Sequence, residues 1–394
     1  MSFPLSHNEY LSLLHSHIVE CCLLILLALV IVYQIYFYIR YIRKGGILSN
    51  SCTHQNSEQT DALPGVSVVV CARNEQKNLK EYLHTLLNQS YPRFEVIVVN
   101  DGSEDDTQLI LEQYEHQYKN LYHTFVPREA RVISSKKLAL TIGIKASNYD
   151  YILLTDADCR PESKYWIREM MNGFSKDNIE VVLGFSPYFQ KKGLLNKLIS
   201  YDTLFCGLQY MGMAKAGYPY MGVGRNLAYR KSTFFANHGF QGLLNERAGD
   251  DDLFVNKVAN RTNTAVVCNR YSITWTPPKS SWQEWLHQKR RHLSVSSHYK
   301  QHTRLQIGLE PLTRGLMYTL LIACLIIGGW RLVSIALGLF LIRLIVQLIT
   351  INTAAHKLRI SKFGLGIILY DILLPLITLS ILIAQPMHKQ SLYW

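Results

Sequence analysis

The hydrophobic pattern of the 394-residue chain has two regimes, long apolar stretches near the ends and short apolar runs between them. Residues 21–39, CCLLILLALVIVYQIYFYI, carry no charge and are long enough to span a bilayer core. The run is too long and aromatic for a signal-peptide core, and no small-residue cleavage site follows, so it reads as an anchor. Three further spans are predicted near the C-terminus, at 316–329 (extendable back to 312), 332–351 and 364–384. Arg343, Gln347, Asp371 and Pro375 interrupt the last two. Such polar groups are costly in lipid and are expected to face other helices or a polar crevice.

Between these ends the pattern changes to short runs at strand and helix spacing. Residues 50–64 are polar and turn-rich, as a linker would be. Strands are predicted at 65–71, 95–99, 122–126, 151–155 and 181–184, the first being a near-continuous β-branched run of the kind buried in parallel sheets. Helices are predicted at 77–89, from 103 to about 118 and at 137–147, the second opened by Ser103 and Asp106 at capping-box spacing. This alternation specifies an α/β fold, an open, mostly parallel sheet with helices on both faces. The expected organisation is an anchor at 1–45, a linker at 46–64, the α/β domain at 65–280, an amphipathic interfacial segment at 281–311 and membrane helices at 312–394.

Charge adds orientation. Arg40, Arg43 and Lys44 follow the first span, Arg304 and Arg314 precede the second, and His356, Lys357, Arg359 and Lys362 separate the third and fourth. The positive-inside rule places residues 40–314 in the cytosol, with both termini outside, in a multi-pass protein of the plasma (inner) membrane. A formal charge of +12 suits both an anionic leaflet and a phosphate-bearing substrate. No basic recognition helix or zinc spacing accompanies it, so nucleic acid is not an expected partner. The eight cysteines include no C-x-x-C pair, which points to a reducing compartment without structural disulfides.

The candidate chemistry lies at strand ends. Asp156 and Asp158 follow the 151–155 strand, where residues two apart point to one side. Two adjacent carboxylates repel unless protons or a cation intervene, and Mg²⁺ or Mn²⁺ shared with substrate phosphates would serve. Asn74, next to Glu75, and Asp101 fall at the ends of the first two strands, where open α/β sheets bind ligands. Gly222 and Gly224 allow close backbone approach to a ligand, and Asn226 beside them offers both a donor and an acceptor. Asp250, Asp251 and Asp252 form an acidic block whose crowding calls for relief, or which caps a helix. Residues 282–300 are aromatic and basic, with Trp282, Trp285, Leu286 and Leu293 at the spacing of an interfacial helix.

The 68–75 strand end VVVCARNE, the Val99-Asn100-Asp101-Gly102-Ser103 turn and the Asp156-Ala157-Asp158 pair resemble those of family 2 inverting glycosyltransferases of the A-type nucleotide-sugar fold. The likeness covers about 64–297 and points to the membrane-bound polysaccharide synthase and lipid glycosyltransferase branch. It implies that a nucleotide-sugar binds across Asn74, Glu75, Asp101, Asp156 and Asp158, with Asp101 on the base and ribose and Asp158 and Asp156 on ribose and a diphosphate-bound metal. Lys136 and Lys137 resemble the Lys-x-x-Ala-Leu stretch near the nucleotide; Lys137 is carried forward as a nucleotide residue, with Lys136 open beside it. Gly224 and Asn226 resemble the segment lining donor sugar and acceptor.

Gly249-Asp250-Asp251 resembles the motif whose last Asp is the catalytic base, which implies Asp251, with Asp250 or Asp252 open if the register slides. Gln288-Lys289-Arg290-Arg291-His292 resembles Gln-x-x-Arg-Trp, with His292 where tryptophan is usual. Arg291 is then expected to steady the departing diphosphate, and Gln288 and His292 to face the acceptor. The implied function is metal-dependent transfer of a hexose or N-acetylhexosamine, from a UDP-sugar by resemblance, to a lipid-linked or glycan acceptor at the cytosolic face. A processive polysaccharide synthase is the alternative, disfavoured by His292 and by only four spans. A non-catalytic sugar-binding subunit is a further alternative, against which the intact acidic sets argue. A nucleotidyltransferase ranks last, since Ala72-Arg73-Asn74-Glu75 lacks a glycine-rich phosphate loop.

Overall fold

The computed structural model describes residues 7–51, 63–127, 135–243 and 249–384. The chain begins with helix α1 (His7–Phe37), which continues through a π-turn (Tyr38–Ile42) into the short α2 (Arg43–Gly45). The first half of the domain then alternates: β1 (Val66–Ala72), α3 (Gln76–Leu87), β2 (Phe94–Asn100), α4 (Thr107–Gln117), β3 (Leu121–Phe125), α5 (Ser135–Ala146) and β4 (Tyr151–Asp156). After it come β5 (Arg160–Pro161), α6 (Trp166–Met171), β6 (Val181–Leu183), α7 (Leu194–Lys215), β7 (Leu227–Arg230) and α8 (Lys231–Ala236). Next are α9 (Asp252–Val258), β8 (Thr264–Val266), β9 (Thr274–Trp275), α10 (Trp282–Ser296), α11 (Gln301–Ile327), α12 (Trp330–Lys357) and α13 (Gly366–Ala384).

Seven strands form one sheet in the order β3-β2-β1-β4-β7-β6-β8. β1 pairs in parallel with β2 and β4, β2 with β3 and β6 with β8, while β7 is antiparallel to both neighbours. Strand alternation divides the core cleanly. Val66, Val68 and Val70 pack on one face with Leu79, Leu83 and Ile110, while Val69 joins Ile152 and Leu154 on the other. Chain order reverses between β1 and β4, the switch point where such sheets open a crevice at their C-terminal ends. Ala72 and Asp156 end the two strands there.

One local expectation differs from what is observed, and one helix has no sequence signal. The Ser103–Asp106 capping box does not form: α4 starts at Thr107, whose amide donates to Asp105, and the Ser103 hydroxyl accepts from the Asn74 amide instead. α7 carries no clear period because it is apolar on nearly every side. It lies between the sheet and the membrane helices, so it is buried all round.

Among the described residues, four helical segments are long and apolar enough to cross a membrane: His17–Gly45, Gln301–Ile327, Trp330–Lys357 and Gly366–Ala384. The spanning helix α11 begins ten residues or more before the predicted boundary, and Pro311 lies inside it. The polar residues of the spans face one another, as their cost in lipid requires. Arg343 Nη1 donates to Asp371 Oδ2 at 2.6 Å and its Nη2 to Gln34 Oε1 at 3.0 Å. Arg314 Nη1 lies 3.2 Å from Asp371 Oδ1, and Gln347 Nε2 donates both to Asp371 and to Tyr201 of α7. This network fastens α1, α11, α12 and α13 to the α/β domain through Tyr201. Part of the predicted linker, 52–62, lies outside the described residues. Ser49, just before it, exchanges hydrogen bonds with Cys268.

Candidate active site

Asp156 ends β4 and Asp158 sits in the turn after it, held against the C-terminal end of β1 by the Cys71–Asp156 register. The carboxylates and the Cys159 thiol have ligand atoms within 4.8 Å of one another. Burial and the neighbouring Asp156 push the Asp158 carboxyl above its ordinary range. A divalent cation relieves that repulsion, so the pair fits a hard metal. Cys159 is buried, which pushes its thiol well up, and it donates toward Asp158 Oδ1 at 3.5 Å. It therefore reads as a partner of Asp158 and not as a soft metal ligand.

Across the crevice lies the acidic block before α9. Lys136, at the start of α5, joins the two groups: its Nζ is 3.1 Å from Asp156 Oδ1 and 3.4 Å from Asp250 Oδ2. Despite burial, these two carboxylates hold the lysine ammonium well above its usual range. Burial also opposes the Asp250 charge, but Lys136, the backbone amide of Asp250 and Lys137 together outweigh it and keep that carboxyl below the ordinary range. Asp251 caps α9, its Oδ2 accepting from the Gly224 amide at 2.7 Å and its Oδ1 from the Asp252 amide at 2.8 Å. Burial and then Asp250 push its carboxyl up. Asp252 accepts from the Tyr299 hydroxyl at 3.1 Å, and burial pushes it well up. The three adjacent acids thus occupy three settings: Asp250 paired with a cation, Asp252 tied to the protein and Asp251 between them.

Asn74 adopts a left-handed φ of 56°, a conformation asparagine tolerates. Its Oδ1 accepts from the Glu104 amide, which clasps the loop after β1 to the loop after β2. Asp101 follows β2 and is fully buried, its amide donating to Ala72. Burial raises the Glu75 carboxyl to about 7, with Asp158 and Asp156 adding to the effect.

Both lysines act on the acids: the Lys136 ammonium lies 3.1 Å from Asp156 Oδ1, and Lys137, 1 % exposed, adds to the field that lowers Asp250. One expectation needs correction. Asn226 does not face the crevice at all. It is 0 % exposed, its Nδ2 donates to Phe185 and Ser272, and its Oδ1 accepts from Trp166 Nε1. Every side-chain N–H of Asn226 is thereby committed to holding β7, and Gly224, two residues before it, supplies the approach to Asp251.

Helix α10 brings the last group. Gln288 Nε2 donates to the Tyr188 hydroxyl at 2.9 Å, and Lys289 Nζ lies 2.7 Å from Asp202 Oδ1 on α7. Arg291 is half-buried and His292 exposed one position on. Arg225, which no sequence signal marked, lies between Gly224 and Asn226 with its guanidinium 4.8 Å over the Tyr188 ring.

Comparison with known proteins bears on the family and the fold. Residues 67–236 match the model described as Glycosyl transferase family 2. A probable glycosyltransferase, YdaM of Bacillus subtilis (strain 168), is 26 % identical over 289 residues, 68 % of this chain and 64 % of that one. A poly-beta-1,6-N-acetyl-D-glucosamine synthase of Staphylococcus epidermidis is 32 % identical over 123 residues, 31 % of this chain and 27 % of its own. The chain thus spans less than two thirds of the length of these curated relatives. Among solved structures, the mannosyltransferase PcManGT of Pyrobaculum calidifontis, in complex with GDP-Man and Mn²⁺, superposes with a TM-score of 0.55 at 17 % identity. The match covers 86 % of this chain and 98 % of that one and shows the shared fold. The strand-end motifs, the sheet and the match over residues 67–236 agree: this part of the chain is similar to glycosyl transferase family 2, on the A-type fold.

Proposed function

We propose that the protein transfers a sugar, with inversion, from a nucleotide diphospho-sugar to a lipid-linked or glycan acceptor at the cytosolic face of the plasma membrane. The observation that carries this reading is the Lys136 bridge, which places the Asp156 side and the Asp250–Asp251 side in one crevice. Donor and acceptor chemistry need that proximity. Asp156 and Asp158 would hold Mg²⁺ or Mn²⁺, which would neutralise charge on the donor diphosphate. PcManGT, the fold neighbour, is named with GDP-Man and Mn²⁺.

In this reading Asp251 takes the proton of the acceptor hydroxyl while that oxygen bonds to the anomeric carbon. The bond from that carbon to the diphosphate oxygen breaks, and the electron pair leaves with the nucleotide. The two amides on Asp251 fix its direction and leave a lone pair of each oxygen for the substrate. Its raised basicity favours proton uptake. Arg291 stabilises the departing charge, and an α-linked donor gives a β-linked product.

Processive synthesis is the second reading, favoured by the likeness to a poly-beta-1,6-N-acetyl-D-glucosamine synthase. The engagement of Arg343, Gln347 and Asp371 with one another supports a scaffold in the spans over a polar conduit, and so favours single transfer. The test is nucleotide release by detergent-purified protein across UDP- and GDP-sugars, with and without Mn²⁺ or Mg²⁺. Metal-dependent turnover of one donor is expected, and Asp158→Ala should weaken metal-dependent nucleotide binding. Neither binding nor turnover with any donor, or unchanged binding in Asp158→Ala, would contradict the reading.

A further inference from the structure

Arg225 occupies an unusual electrostatic position. It follows Gly224 in the 3₁₀ turn before β7, and its own carbonyl accepts from both Thr155 Oγ1 (3.0 Å) and Thr274 Oγ1 (2.9 Å). The backbone is therefore pinned between β4 and β9. The side chain is braced by the Tyr188 ring, whose hydroxyl is in turn held by Gln288 of α10.

A guanidinium so held would ordinarily have an anion against it. Among the described residues it has none within ion-pair distance, and no N–H of this side chain donates to any of them. Its Nη1 is buried and unsatisfied. A desolvated cation with an open hydrogen-bonding fork is costly unless a ligand completes it. The Arg225 carbonyl is held by Thr155, the residue before Asp156, and its charge is felt by Asp158 and by His292, which also feels Arg291. The residue thus sits beside the strand that ends in the candidate metal pair, and its fork rests on a tyrosine held by α10.

We propose that Arg225 binds the terminal phosphate of the nucleotide diphosphate, as a fixed cation complementary to the metal and to Arg291. The inference rests on the nucleotide-sugar reading above and adds a residue to it. A planar fork suits two phosphate oxygens at once, and bracing by Tyr188 removes the rotamer entropy that binding would otherwise cost. The charge also sits where negative charge grows as the anomeric bond breaks, so the contact strengthens on the way to the transition state.

The experiment is equilibrium binding of UDP and UMP, and of GDP and GMP, to the full-length protein in detergent with Mn²⁺. The readout is the ratio of diphosphate to monophosphate affinity, in wild type, Arg225→Met and Arg225→Gln. The wild type is expected to prefer the diphosphate, and both variants to lose roughly ten- to hundredfold of that preference while monophosphate affinity holds. A purely structural role would lower both affinities together and leave the ratio unchanged, which overturns the proposal even if only one variant folds. Failure of the wild type to bind any nucleotide would instead remove the nucleotide-sugar reading itself, and this inference with it.

Discussion

Asp251 is held by two backbone amides, and it is crowded by Asp250, which keeps its own charge through Lys136. Asp251→Asn should keep both the cap and the shape, abolish sugar transfer and spare nucleotide binding; turnover within tenfold of wild type would place the base elsewhere. Glu75 gives a pH signature. Its carboxyl titrates at about 7 in the folded protein against 4.5 as its ordinary value, so the native state holds a proton that the unfolded chain has lost between those limits. Stability in chelator should therefore fall as pH rises from about 4.5 to about 7, and Glu75→Gln should flatten that slope in thermal melts. At this scale the sequence is legible where chemistry and backbone coincide, as at Asp156 and Asp158. It is misleading at Asn226, because an amide beside glycines looks the same whether it faces a ligand or holds three groups in the interior. Arg225 was silent for a related reason: an arginine acquires meaning only when its lack of partners is visible.

The elements that read most clearly are those with one buried face or a full period. β1, β2 and β4 appear within a residue or two of their predicted bounds, because a strand covered on both sides must be continuously apolar. α7 was missed since being buried on all sides erases the amphipathic stripe. The membrane helices were legible as lengths of apolar chain, whereas their polar interruptions acquire partners only in three dimensions. Arg343 and Asp371 are both fully buried and 2.6 Å apart, so removing one leaves the other exposed to the full cost of desolvation. Arg343→Met should lower stability by about 3 kcal/mol or more, at the low end of such losses because Arg314 and Tyr318 also reach Asp371. A melting temperature within a degree or two of wild type would show that the network contributes little.

At the scale of the whole molecule, the anchor and the catalytic domain meet backbone to backbone. A Cβ on Gly212 of α7 would run into the carbonyl oxygen of Tyr41, and one on Gly45 into that of Leu208. Gly212→Val should force α7 off the anchor and destabilise the protein by about 1–3 kcal/mol, read as a fall in melting temperature with the crevice residues untouched. An unchanged melt would mean that the two helices are free to separate. The contact makes the first helix a rigid post and not a tether. A tethered enzyme samples a volume of solution, and its acceptor is found by search. In the function proposed above, an enzyme on a post would work at one altitude above the bilayer, so the distance from the membrane surface to the acceptor hydroxyl would become part of its specificity, and an acceptor one sugar too long or too short would present the wrong atom.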